Sequence, residues 1–196
     1  ASDVYKRQLE NNRDRALFFS SRGPLFCSGG QLDFYKGLKD PEEGLKANED
    51  IKSCLSLLQN RDKPSACYVH GPCYGGGVEW ISYFQLVIAS PAALFGLWQR
   101  RMGLSFGWGG YRPLRKRLSD RQIHNWILRA DTRSSYQALE MGLVDGIMNQ
   151  SRGYEYAADW LRQLVGWGEE SLKVHLRSLS EDGREMEKLW MAKEHR

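Results

Sequence analysis

No stretch of the sequence approaches the roughly 18–20 uninterrupted apolar residues that a membrane-spanning helix needs. The opening also lacks the basic-then-apolar pattern of a secretory signal. A soluble, cytoplasmic chain with no membrane partner is the expectation. Cysteine is scarce. Cys27, Cys54, Cys67 and Cys73 are the only four in 196 residues, and they show neither paired metal-ligand spacing nor the density of a disulfide scaffold. No metal site and reduced thiols are expected. Internal repeats, low-complexity linkers and recognised nucleic-acid motifs are missing too, and the seven tryptophans are spread through helical text as core residues usually are. No nucleic-acid partner is expected.

The remaining composition, 41% hydrophobic and 27% charged, suits one globular unit with a sizeable core. The net charge of +4 is concentrated between Gln99 and Arg121, at Arg100, Arg101, Arg112, Arg115, Lys116, Arg117 and Arg121. An anionic partner or a solvated helix face would each account for it. The first eight residues, Ala1 to Gln8, resemble translated adapter sequence at the broken end of a reading frame. They are expected to be a non-native leader, with native sequence beginning near Leu9.

Residues 16–21 form a short apolar run closed by Arg22-Gly-Pro24, which predicts a buried strand. Apolar residues at helical spacing (Ile51, Cys54, Leu55, Leu58) predict a helix over 45–60. Residues 65–69 and 85–89 predict two further strands, with a helix over about 76–84 between the second and third. Alternation of strand and helix argues for an α/β domain. The second half reads as helical. Its two helix starts carry capping boxes, Ser119 with Gln122 and Ser134 with Gln137, Gly142 is placed to stop the second of these helices, and breaks are expected at 166–168 and 182–183.

Two glycine loops carry the chemistry. Tyr68 to Glu79 runs from a strand through Gly71 and Gly75-Gly-Gly77 into a helix. Glycines let backbone amides approach a ligand, and amides at a helix start favour developing negative charge. Glu79 lies three residues after Gly76, on the same helical face. Phe26 to Leu32, with Gly29-Gly30, is a second such loop after a strand. Two amides aimed at one oxygen form an oxyanion hole, an arrangement suited to a thioester carbonyl. Gly71-Pro-Cys73-Tyr-Gly75 also fits a nucleophile elbow with Cys73 as the thiol and His70 beside it. A cysteine hydrolase is therefore a minor alternative.

Several motifs in order resemble the crotonase (enoyl-CoA hydratase/isomerase) superfamily. Leu17 to Leu32 is similar to its strand and FCAGxD-type loop, and Lys63 to Ser90 to its K-P-x-x-A-x-V-x-G-x-x-x-G-G-G-x-E signature. Phe95-Gly-Leu97, Met102-Gly-Leu104, Gly107-Trp-Gly-Gly110 and Ala138 to Asp145 follow in family order, so the likeness covers roughly 14–150. The resemblance implies an α/β crotonase-type ββα spiral over 9–150, short of its first elements, with a helical region over 151–196. It implies oxyanion-hole amides at Gly30 and Gly76, a catalytic Glu79, and an acyl pocket shaped by Ser28, Trp98 and Trp108. It also implies a homotrimer or hexamer, and an acyl-CoA substrate with coenzyme A as part of that substrate and no separate cofactor.

The chain departs from the family at Gln99, where hydratases carry a second glutamate. Glutamine orients a reacting group but exchanges no proton near neutral pH. Gln31 and Gln85 stand where aspartates are usual. The function implied is an acyl-CoA-processing lyase or isomerase of fatty acid metabolism, stabilising a thioester enolate with Glu79 retained alone and Gln99 positioning the reacting group. The alternatives are a divergent decarboxylase or thioester hydrolase, or a non-catalytic acyl-CoA-binding protein.

Overall fold

The structure, a computed structural model, describes residues 15–30, 33, 37, 40–59 and 62–178. The leader over 1–8, Gln31 and the break expected at 182–183 lie outside the described residues. The first strand, β1 (Leu17–Ser20), pairs in parallel with β2 (Ser65–Val69). Between them runs α1 (Pro41–Gln59), which begins four residues before the expected start at Leu45. Asp40 is the signal that apolar spacing passes over: its Oδ1 accepts from the Glu42 amide at 2.9 Å, and Pro41 then occupies the first helical position, where its missing N–H costs nothing.

After β2 come β3 (Cys73–Tyr74), α2 (Gly76–Ile81) and β4 (Leu86–Ala89). Helix α2 stops at Ile81 rather than 84. Gln85 does not join β4, and instead its Oε1 accepts from the Ser65 amide and hydroxyl at 2.8 and 2.5 Å, closing the start of β2. The chain continues through β5 (Leu94–Gly96), a 3-10 turn (Gln99–Met102), α3 (Tyr111–Arg115), α4 (Asp120–Arg129), β6 (Thr132–Ser134), α5 (Ser135–Met141), β7 (Gly146–Ile147), α6 (Gln150–Gly166) and α7 (Glu169–Ser178). Both capping boxes form as expected, and Gly142 ends α5 in the left-handed region with φ 90°. The second half, expected to be helical, also supplies β6 and β7. These are three and two residues long, too short to show a period of two.

The larger sheet has the order β1-β2-β4-β7, all parallel. Successive side chains of a strand point to opposite faces. Cys67, Val69, Val87 and Ala89 therefore enter the main core with Ile81, Phe84 and Trp126, while Ala66, Tyr68, Leu86 and Ile88 pack against Ala157 and Leu161 of α6. Coverage on both faces is why β2 reads as an unbroken buried run rather than an alternation. The smaller sheet, β3-β5-β6, pairs β3 with β5 in parallel and β5 with β6 antiparallel.

Helix α6 reaches the sheet because Gly153 carries no side chain: a Cβ there would lie 2.4 Å from the Tyr68 ring. Gly153→Ala is expected to cost about 1–3 kcal/mol in urea unfolding. Stabilisation by the usual helix preference for alanine would show that α6 sits farther from the sheet.

Candidate active site

The two glycine loops meet. The Phe26 and Cys27 amides donate to the Pro72 carbonyl at 2.9 and 3.2 Å, and the Tyr74 amide donates to the Cys27 carbonyl at 2.8 Å. Strand pairing thus carries straight into the loops. Gly29 (φ 91°) and Gly75 (φ 55°) adopt backbone conformations that side chains disfavour. A Cβ on Gly29 would stand 3.5 Å from the Gly76 amide nitrogen, so the loops touch backbone to backbone. The Gly75 amide donates to the Gly96 carbonyl at 2.7 Å, tying the turn to β5. Helix α2 has only six residues. A negative charge placed at this helix start would therefore meet its leading amides rather than a long macrodipole.

Glu79 is 1% exposed. Its Oε2 accepts from the Trp108 and Gly110 amides at 3.1 and 2.9 Å, and its Oε1 accepts from Gln99 Nε2 at 3.1 Å. The carboxylate and Gln99 are thus brought together, and the carboxylate also binds the turn over 107–110. Burial pushes the Glu79 carboxyl above its ordinary 4.5, against the opposing pull of the Gly110 amide, the Gln99 side chain and the Trp108 and Gly107 amides. Tyr83 donates its hydroxyl to the Trp108 carbonyl at 3.1 Å. Burial first, then the Glu79 charge, push that phenol up to about 12, so it remains a donor.

A raised carboxyl pKa means that the folded state keeps a proton which the unfolded state has already released. Glu79 therefore lowers stability as pH rises from 4.5 through its folded value, and the loss levels off above that value. Urea unfolding of the wild type and Glu79→Gln should show the wild type losing ground to the variant over that window. A pH-independent difference would contradict it.

The pocket residues expected from sequence fall in different places. Trp108 lies against Gly76, where a Cβ would meet its ring at 2.5 Å. Trp98 lies against Gly96 and stacks on Tyr74 at 3.9 Å with a 15° interplanar angle, and the Arg101 guanidinium sits 5.1 Å over the Trp98 ring. Ser28 is exposed between Cys27 and Gly29. Sequence reading missed Tyr74, Tyr83 and the carboxylate-binding amides of 107–110. The last of these were signalled by a glycine-rich run whose partner lies about thirty residues away.

Cys73 is fully buried. Burial first, and then the neighbouring Cys27 and Cys67, push its thiol well above the usual range. His70 directs Nε2 to the Gly23 carbonyl at 2.8 Å. A reactive thiol needs exposure and a lowered pKa, and Cys73 has neither. Several of the basic residues are engaged within the fold. Arg117 binds Asp145 and the Phe84 carbonyl, Arg115 binds Asp120, and Arg100 binds the Leu128 carbonyl. A cavity of about 410 Å³ lined by Tyr83, Gln85, Lys116, Arg117 and Leu176 includes no residue of either glycine loop. Among the described residues no cluster could hold a metal, and no helix is long and apolar enough to cross a membrane.

Converging glycine turns on a parallel sheet, with a buried glutamate behind one of them, define a crotonase-type α/β fold. Enoyl-CoA hydratases of known structure share it. Those from Shewanella pealeana and Bacillus anthracis both superpose with a TM-score of 0.85, at 19% and 21% identity, over 97% and 95% of this chain and 75% of each of theirs. The enoyl-CoA hydratase/isomerase family model matches residues 3–193, and the chain belongs to that family. Among curated relatives, the ethylmalonyl-CoA decarboxylases of Gallus gallus and Homo sapiens are 27% and 26% identical over 183 residues, 91% of this chain. The chain spans about 60% of their length, 61% and 59% respectively.

Proposed function

We propose that the protein decarboxylates a malonyl-type acyl-CoA thioester through an enolate held by the Gly30 and Gly76 amides. The supporting observation is the occupancy of Glu79: both oxygens accept from amide donors, and its side-chain partner is the neutral Gln99. Hydration of an enoyl thioester needs one group to deliver water and another to supply a proton. Decarboxylation needs no delivered water, and the one proton it takes up, at Cα after CO2 has left, can come from solvent. The electrons of the bond between Cα and the carboxylate become the enolate double bond, charge moves to the thioester oxygen, and CO2 departs. The enolate electron pair then takes a proton from water at Cα, and the hydroxide left behind passes to bulk solvent.

In this reading two backbone donors meet the oxyanion, each contributing about a hundred- to a thousand-fold in rate. Glu79 fixes the 107–110 turn and holds Gln99, which orients the reacting group through its amide. Coenzyme A enters as part of the substrate. The names of the curated relatives favour this chemistry over hydration. Assembly as a trimer or hexamer belongs to the same proposal, and sedimentation velocity would measure it.

The test is a panel of malonyl-, 2-alkylmalonyl- and enoyl-CoA thioesters with the purified chain, following CO2 release and loss of enoyl absorbance separately. CO2 release without enoyl turnover is expected. Enoyl hydration in the absence of CO2 release would replace the proposal with single-glutamate hydration. Binding of all thioesters with turnover of none would make the chain an acyl-CoA-binding protein.

A further inference from the structure

We propose that Trp108 sets the size of the 2-alkyl branch the site accepts, restricting it to malonyl thioesters with short branches. The inference rests on the decarboxylation reading for its substrate class. Its geometric basis is separate.

The benzo edge of the indole faces Gly76: a Cβ on that glycine would meet Cε3 and Cζ3 at 2.5 Å and Cη2 at 2.7 Å. Any group leaving Gly76 on its side-chain side would meet the Trp108 ring. A thioester oxygen bound at the Gly76 amide brings its Cα, and whatever branches from it, close to that wall.

The wall is fixed from both ends of its own residue. The Trp108 amide donates to Glu79 Oε2 and its carbonyl accepts from Tyr83, both at 3.1 Å. On either side, helix α1 blocks relaxation. A Cβ on Gly107 would meet the Asn48 side chain at 3.1 Å, and one on Gly109 would meet Lys52 at 3.0 Å. The indole therefore has little freedom to retreat before a longer branch. Trp98 belongs to a different wall, stacked on Tyr74 beside Gly96, so of these two indoles it is Trp108 that stands against Gly76.

The experiment measures equilibrium binding of two unreactive thioesters, the methyl- and butyl-branched malonyl-CoA analogues in which sulfonate replaces the carboxylate so that the thioester oxygen is kept and no CO2 can leave, to wild type, Trp108→Leu and Trp108→Ala. Both substitutions keep the backbone amide and carbonyl that hold Glu79 and Tyr83, and thermal unfolding by circular dichroism reports whether each variant folds. One methylene too many in a closed pocket costs about 10- to 200-fold. The wild type should therefore prefer the methyl branch by at least about tenfold, and the variants should bring the ratio near one.

An unchanged ratio in either folded variant overturns the assignment, as does a wild type that binds both analogues equally. Should neither variant fold, the wild-type preference over a graded series of branch lengths decides: a sharp cut-off supports the wall and a smooth decline overturns it. CO2 release is followed in parallel with the true substrates. Size-selective binding without CO2 release leaves the role of Trp108 standing and removes decarboxylation, and no binding of any analogue removes both.

Discussion

Glu79→Gln should retain CO2 release from a malonyl-type thioester to within about tenfold, whereas Glu79→Ala should lose about 3 kcal/mol of stability and most activity with it. The contrast follows from what surrounds the carboxylate. Alanine leaves the Trp108 and Gly110 amides and the Gln99 side chain without their acceptor in a buried site. Glutamine can keep its carbonyl toward the two backbone amides and turn its NH2 toward Gln99. Gln99, by rotating its own amide, then presents an oxygen. Donor and acceptor counts balance again. A proton-exchanging role predicts a different outcome, a loss of about a hundred- to ten-thousand-fold in the glutamine variant. Steady-state CO2 release, with urea unfolding to separate stability from chemistry, distinguishes the two. A hundredfold or greater loss in a fully folded Glu79→Gln protein would return Glu79 to acid–base work.

Gly110→Ala is expected to be the most damaging single-methyl change among the described glycines. Its Cβ would fall 2.3 Å from Glu79 Cβ, 2.5 Å from Cγ and 2.7 Å from Cα. Two of those atoms belong to the buried stem of Glu79, and the third is α2 backbone, so α2 or the 107–110 turn must move. Overpacking of this kind costs about 3 kcal/mol, which for a chain of this length lowers Tm by about 6–12 °C. Catalysis should fall further than stability does. The same displacement carries the Gly110 amide away from Glu79, and a shift of about 1 Å at a positioning group can cost about a hundredfold in rate. Gly166→Ala is the comparison. Nothing lies within 4 Å of its Cβ, and its effect should stay within about 0.5 kcal/mol. Equal melting temperatures for the two variants would show that the turn yields without strain.

Much of the fold was legible in the sequence because its signals are local. Both capping boxes, the left-handed stop at Gly142 and the strands around 17–20, 65–69 and 86–89 each depend on residues within a few positions of one another. The start of α1 was missed although its signal was also local, since Asp40-Pro41 is a cap and apolar spacing does not register caps. Strands β5, β6 and β7 were hidden for a different reason. Elements of two or three residues exist only through their neighbours, and Gly146-Ile147 is a strand because it pairs with Ile88 and Ala89.

The sequence by itself determined the family, through glycine turns after strands and the order of the motifs around them. It also determined the absence of a second carboxylate at Gln99, which is a matter of composition at one position. Only the tertiary structure decided how the site is wired. Glu79 meets Gln99, Trp108 and Gly110 across 20, 29 and 31 residues, and the Gly29 and Gly76 backbones touch across more than forty. Contacts at such separations depend on where parallel strands bring the chain back, and a parallel crossover has no local spacing from which to read its partner. The glycines are written in the sequence, but what each one makes room for is set by the segment that returns to pack against it.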